Sequence, residues 1–367
     1  MLIFISFCII ILIQISFYAF LFGKFSYSKS IKGNNHSFPV SIVVCAKNEG
    51  ENLKKHLPLL ALQNYPDFEI VLVDDASTDD SLEIMNQFKA EYSSENRSVQ
   101  IISLANKTSK GKKEALTLGI NKAKHKYLLL TDADCYPVSN NWITEMTSYF
   151  SIDKTIVLGY GAYRKIENSF LNKIIRFETL LTAIQYFSYA KIGKAYMGVG
   201  RNMAYLKEEF TKAEGFSKHK NTVSGDDDLL IGQIATAQNT AICSTKNSFT
   251  ISEPETNFNH WIGQKRRHIT TSFEYKIFYK FLLGLFYISQ ILFWLLLITV
   301  LILEINTSLT IFLGLFRLVI WYGTIIRSAY KLNENDLILL APVYEISIIF
   351  IQLYLLISNL ISPPKNW

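Results

Sequence analysis

The residues best placed to do chemistry are Asp132 and Asp134, which close the apolar run Tyr127-Leu-Leu-Leu-Thr131. Residues two apart on extended chain point the same way. Both carboxylates therefore leave one side of a buried strand end, where a hard divalent cation such as Mg2+ or Mn2+ can sit between them and a phosphate. A core strand has no need of two acids at its tip. A metal–diphosphate site implies a nucleotide-activated substrate, and the remaining motifs bear on that expectation.

The elements that must position this pair read as alternating strands and helices from Phe38 to about Ser252, the sign of an α/β fold. Strands are expected over 40–45, 67–73, 99–104 and 127–131. Helices are expected over 52–63 and from Lys110 through Ile120. Ligands of open parallel sheets bind beyond the carboxyl ends of the strands. Glu49, Asp75 and Asp134 all fall at such ends and should meet in space. Of Asp74 and Asp75, one suits turn and cap chemistry. The other, read as Asp75, can accept from a nucleobase or ribose hydroxyl. Lys112 stands at a helix start, where a lysine and backbone N–H groups can meet a diphosphate; a solvated lysine is the plainer reading.

The chain has 367 residues, 49% of them hydrophobic, with the excess at its two ends. Leu2 to Phe22 is nearly all apolar and long enough to cross a bilayer. It lacks the basic start, short apolar core and small-residue cleavage site of a signal peptide. Lys24, Lys29 and Lys32 follow it, which places the next domain in the cytosol by the positive-inside rule. Three more candidate spans are Phe281–Leu303, Leu309–Ile326 and Leu337–Ile361, with Arg327 and Lys331 in an inward loop. Pro342 offers an alternative in which the last segment re-enters the bilayer. Arg317 and Glu345 interrupt the last two spans, either as functional intramembrane charges or as snorkelling, interfacial ones. The layout is a membrane helix at 1–23, a cytoplasmic domain at 38–270 and about three membrane helices over 280–361, in the inner or plasma membrane.

Lys and Arg number 37 against 31 Asp and Glu, a modest formal charge of +6. No dense basic stripe with interleaved aromatics is present, which argues against nucleic acid as a partner. Cys8, Cys45, Cys135 and Cys243 form no C-x-x-C pair, so neither a zinc site nor a disulfide framework is expected.

Seven motifs in order then resemble the inverting family-2 glycosyltransferases of the GT-A fold, over roughly Pro39 to His268. They are Val40-Ser-Ile-Val-Val-Cys-Ala-Lys-Asn-Glu49, Val73-Asp-Asp-Ala-Ser77, Gly111-Lys-Lys-Glu-Ala-Leu116 and Thr131-Asp-Ala-Asp134. Met197-Gly-Val-Gly-Arg-Asn-Met-Ala204, Ser224-Gly-Asp-Asp-Asp-Leu229 and Gln264-Lys-Arg-Arg-His268 complete the set. The resemblance implies a Rossmann-like nucleotide-diphospho-sugar transferase domain with a mixed sheet, flanked by membrane helices. It implies a nucleotide sugar donor, UDP-linked, and a lipid-linked or glycan acceptor beside membrane lipid.

By the same resemblance Asp75 contacts the base, Asp132 the ribose or sugar, and Asp134 the metal, with Glu49 and Lys112 supporting the nucleotide. Asp226-Asp227-Asp228 would supply the general base. Three adjacent carboxylates cannot all be buried and ionised, and a raised pKa suits a base acting near neutral pH. The register admits Asp227 or Asp226, and Asp227 is favoured. Gly200 with Gly198 resembles a loop that lets an acceptor approach backbone, and Arg201 and Asn202 are candidate sugar contacts. Gln264, Arg266 and Arg267 match the family's Q-x-x-R-W element, with His268 where tryptophan is usual, a departure that bears on processive synthesis. The same basic cluster can bind anionic lipid heads. Trp261 reads as a sugar platform or an interfacial anchor, and Phe170–Lys194 as an amphipathic membrane helix or core. Two other readings are a nucleotidyltransferase and a non-catalytic membrane scaffold or transport component.

Overall fold

The computed structural model describes residues 1–29, 33–34, 36–93, 97–104, 107, 111–220, 222 and 224–362. Lys32 and Lys110 lie outside the described residues. Ten strands form among those described: β1 (Val40–Ala46), β2 (Phe68–Asp74), β3 (Arg97–Ser103), β4 (Tyr127–Leu130), β5 (Cys135–Pro137), β6 (Ile156–Leu158), β7 (Gly161–Tyr163), β8 (Met203–Leu206), β9 (Thr240–Ile242) and β10 (Thr250–Ser252). Seven make one mixed sheet in the order β3-β2-β1-β4-β8-β6-β9, and β5-β10-β7 make a small second sheet. β1 to β4 run parallel, whereas β8 runs antiparallel to β4 and β6.

The parallel half is apolar because helices cover both of its faces. Val40, Ile42 and Val44 of β1, with Ile70 and Leu72 of β2, pack with Leu53, Leu57 and Leu60 of the helix Gly50–Ala61. The alternate residues Val43, Val71 and Val73 pack with Ala115, Leu116 and Ile120 of the helix Lys113–Lys122. Period-two alternation thus serves two cores. The carboxyl ends of β1, β2 and β4 open on one edge of the sheet. Observed bounds differ from the expected ones by about two residues, because element ends are set by caps and turns rather than by the apolar period.

Four helices are long and apolar enough to cross a membrane: Leu2–Ser26, Ile277–Ile302, Thr307–Lys331 and Ala341–Ile361. The snorkelling reading of Arg317 and Glu345 is overturned. They are 0% and 1% exposed and form an ion pair at 2.8 Å. Gln14 Oε1 accepts from Arg317 Nη2 at 2.7 Å, and the guanidinium lies over the Phe293 ring at 4.4 Å. Arg317→Leu would strand a buried carboxylate, so a loss of about 3–5 kcal/mol is expected. The double variant Arg317→Leu, Glu345→Leu should recover most of it. Thermal unfolding in detergent checks both.

Phe170–Lys191 is a buried packing element, not a helix lying free along the membrane. Its Phe187 meets Phe25 at 4.9 Å and its Phe177 meets Tyr344 at 5.5 Å. It thereby joins the α/β domain to the apolar helices. Arg176 on the same helix is buried against Glu334 and Asp336, and Tyr160 donates to Glu334.

Candidate active site

At the end of β2 the two adjacent acids separate by role. Asp74 does turn chemistry: its Oδ1 accepts from the Ser77 N–H at 3.2 Å and its Oδ2 from the Ser103 hydroxyl at 3.2 Å. Asp75 pairs with Lys107 through Oδ2, and its Oδ1 is buried without a partner among the described residues. An orphaned carboxylate oxygen costs energy unless something donates to it, and an imide or amide N–H of a nucleobase would. Glu49 accepts from Asn52 at 2.6 Å. Burial, and then Asp134 and Asp132 nearby, hold its carboxyl above the usual range.

Thr131 leaves the sheet, so Asp132 and Asp134 sit in a turn rather than on extended chain. The turn still converges them: ligand atoms of Asp132, Asp134 and Cys135 lie within 4.8 Å of one another. Lys112 Nζ donates to Asp132 Oδ1 at 2.8 Å. Burial pushes Asp132 up, but Lys112 outweighs it and holds the carboxyl below its ordinary value. Asp134 moves the other way, raised by burial and then by Asp132. Its one recorded partner among the described residues is the Cys135 thiol, at 3.2 Å. That thiol is pushed well up by burial and by Asp134, so it stays protonated. Two converging carboxylates, one lacking a described cation, fit Mg2+ or Mn2+; a neutral thiol does not suit so hard an ion.

The three acids at 226–228 also do three different things. Gly225 makes the turn that separates them, with φ +86°, and a Cβ there would lie 2.5 Å from Leu229 Cδ1. Asp226 is 4% exposed and lies 2.9 Å from Lys112 Nζ. Burial nonetheless leaves its carboxyl raised. Asp228 accepts from the Thr271 and Tyr275 hydroxyls at 2.8 and 2.6 Å. Asp227 caps the helix Asp228–Ile234, accepting from the Asp228 N–H, and takes the Gly200 N–H on Oδ2, both at 2.8 Å. Burial and then Asp228 push Asp227 up to about 6, though its side chain keeps an open flank.

Lys112 is therefore the centre of the site, ringed by Asp132, Asp226 and Asp227. Burial lowers its pKa, but the three acids outweigh it and keep the amine charged. Behind it, Thr131, Asp132, Gly200 and Asp226 bound a cavity of about 10 Å³, room for roughly one water. A nucleotide has no space there and must lie outside Lys112.

Other expected contacts fall elsewhere. Asn202 is fully buried, bonded to Tyr160 O, Ser248 O and Trp142 Nε1, so it is a core polar residue. Arg201 donates to Gly161 O at 3.0 Å and Ser252 Oγ at 3.1 Å and stacks on Tyr163 at 4.3 Å. It braces the small sheet, yet its charge is felt at Asp132 and Asp134. Gln264, Arg266 and Arg267 lie on the helix Phe258–Ser272. Arg266 turns away from the acids to Asn359 Oδ1 at 2.9 Å and Ser358 O at 3.3 Å. His268 opens to solvent on one side. The protein crowded round its other sides, and the cations Lys265, Arg201 and Arg267, push its imidazole down to about 3. A neutral imidazole thus closes the Gln264–His268 element. Trp261 is 1% exposed and serves as neither sugar platform nor interfacial anchor.

Sequence reasoning missed Lys107, Thr271 and Tyr275. Lys107 sits in a loop with no motif. Thr271 and Tyr275 follow the Gln264–His268 element and have no spacing that points to Asp228.

Residues 41–211 match the family model for Glycosyl transferase family 2. Glycosyltransferase GlyG of Streptococcus pneumoniae is 33% identical over 36% of this chain and 42% of its own length. The Escherichia coli UDP-Glc:alpha-D-GlcNAc-diphosphoundecaprenol beta-1,3-glucosyltransferase WfaP is 29% identical over 36% of this chain and 48% of its own. The matched region thus spans under half of each relative. The mannosyltransferase PcManGT from Pyrobaculum calidifontis, solved with GDP-Man and Mn2+, superposes with a TM-score of 0.54 at 15% identity, covering 88% of this chain and 99% of that one. The α/β domain has the GT-A fold. Residues 41–211, just under half of this chain, are thus similar to the family-2 glycosyltransferases.

Proposed function

We propose that this chain is an inverting glycosyltransferase that moves a sugar from a UDP-sugar to a lipid-linked or glycan acceptor at the cytoplasmic face of the membrane. The observation that carries the reading is the division of labour among four carboxylates around Lys112. Asp132 and Asp226 neutralise the lysine, Asp134 is left for a cation, and Asp227 is left half-ionised near pH 6.

The acceptor hydroxyl gives its proton to Asp227 as its oxygen attacks the anomeric carbon. The nucleoside diphosphate leaves from the opposite face, and one displacement inverts the centre. Asp75 takes the base N–H on its free oxygen, and Lys112 faces the diphosphate. Mg2+ or Mn2+ on Asp134 and Asp132 would supply Lewis-acid stabilisation of the leaving diphosphate. Gln264 and Arg267 face the acceptor end in this reading, and Arg266 holds their helix in place. WfaP is named for a UDP-glucose donor and a diphosphoundecaprenol-borne acceptor, which supports the same chemical classes here. A nucleotidyltransferase has no use for a base at Asp227, and a scaffold has no use for a raised carboxyl beside a lone cation pocket.

The test is release of free nucleoside diphosphate from a panel of nucleotide sugars by detergent-purified protein, with a membrane lipid extract as acceptor source. Release with one donor in Mn2+, abolished by EDTA, is expected. No release and no UDP binding would reject the reading.

A further inference from the structure

The last apolar helix, Ala341–Ile361, is held by the α/β domain at the wrong end for a crossing helix. Ser358 and Asn359 in its final turns bond to Arg266, and Asn359 Nδ2 donates back to Arg266 O at 3.0 Å. Arg266 belongs to the domain helix Phe258–Ser272. Yet the segment leading into Ala341 is held by the same domain: Glu334 and Asp336 pair with Arg176, and Asp336 with Lys165 at 2.7 Å. A helix crossing the bilayer carries its two flanks to opposite sides.

The side-chain contacts give the path between these anchors. Lys331 bonds to Phe25 O, which marks the domain-side end of the helix Thr307–Lys331. With a rise of about 1.5 Å per residue, Tyr322 lies roughly 13 Å and Arg317 roughly 21 Å from that end. Tyr322 donates to Ile338 O at 3.0 Å, and Arg317 pairs with Glu345 at 2.8 Å. The chain therefore descends from Glu334 through Ile338 to Glu345, level with Arg317. It then climbs. Tyr287, roughly 15 Å along Ile277–Ile302 from the domain, donates to Ile349 O at 2.9 Å. From Glu345 to Ser358 is about 20 Å of helix, the same distance as the descent.

We propose that residues 332–362 form a re-entrant hairpin that dips to mid-bilayer and returns, so the chain crosses three times and Ser362 lies on the catalytic face. Irregular backbone is tolerated at membrane depth only where its polar groups are satisfied within protein. Here Leu337, Ile338 and Ala341 donate to Glu334, Asn335 and Ile338 carbonyls. Pro342 falls in the first helical turn, where its missing N–H costs nothing. The Arg317–Glu345–Gln14 cluster is then the anchor of the hairpin tip. The outward face carries Val343, Ile346, Phe350, Ile357 and Leu360, a surface for the acyl chains of the catalytic-side leaflet. The proposal rests on membrane embedding alone and stands whether or not the transferase chemistry is correct.

The test is labelling of single added cysteines with an impermeant maleimide in sealed, oriented membrane vesicles, with the unsubstituted chain as background for its four native thiols. Ser362→Cys leaves the backbone intact, Glu304→Cys reports the loop between the second and third crossings, and Lys55→Cys reports the catalytic domain. Ser362→Cys is expected to label from the same side as Lys55→Cys, and Glu304→Cys only after permeabilisation from that side. Labelling of Ser362→Cys with Glu304→Cys overturns the hairpin, as does labelling of all three positions from one side. An epitope appended after Trp367, read by protease protection, gives the same discrimination if the Ser362 variant does not express.

Discussion

Asp227→Asn is expected to slow sugar transfer by about 10²- to 10⁴-fold, the usual worth of a general base, while nucleotide sugar still binds. The amide keeps the shape, but its single oxygen can accept only one of the Gly200 and Asp228 N–H groups, which the carboxylate takes on separate oxygens. What it loses is the capacity to take a proton. The pH dependence sharpens the test. With Asp227 raised to about 6, transfer should rise as pH passes through 6, and the residual rate of the variant should lose that step. The stability consequence has the opposite sign. A carboxyl whose pKa is higher in the folded than in the unfolded chain stabilises the fold most at low pH, and that contribution is lost as pH rises through the folded value. Removing the buried charge favours the fold at pH 7, while the N–H group left without an acceptor opposes it. A lost rate with nucleotide sugar binding retained separates a missing base from a damaged fold. Unchanged transfer would remove Asp227 from the mechanism.

Asp134→Ala is expected to reduce diphosphate release to the level seen in EDTA, without rescue by added metal. Asp134 is the carboxylate with no described cation, and burial beside Asp132 raises its pKa. A divalent ion relieves both. Binding to the folded state alone raises stability as RT ln(1 + [L]/Kd), about 2.7 kcal/mol at a hundredfold excess over Kd. Mn2+ should therefore raise the melting temperature of the parent and leave that of Asp134→Ala unmoved. This readout does not depend on turnover. A variant that still gains stability from Mn2+ would move the metal site away from Asp134.

Much of this arrangement was legible in linear order because parallel strands write themselves as short apolar runs with polar residues at one end. The runs at 40–46 and 127–130 led directly to Glu49 and to the Asp132–Asp134 pair. Other features were legible only as alternatives. Asp74 and Asp75 look equivalent in sequence, and only the positions of Ser77, Ser103 and Lys107 tell them apart. Asn202 and Arg266 match polar site motifs, but their partners, Ser248 and Asn359, come from distant segments.

The sequence by itself determined the class: an α/β nucleotide-sugar domain, its acidic strand-end motifs and four long apolar segments. These follow from local periodicity and from residue types that short-range physics places at strand ends and in membranes. The tertiary structure decided the roles. Lys112 meets Asp226 across 114 residues, Asp228 meets Tyr275 across 47, and Arg317 meets Gln14 across 303. The charge state of a buried acid depends on such partners, because in a low-dielectric interior one neighbouring ion outweighs any preference carried by the residue itself.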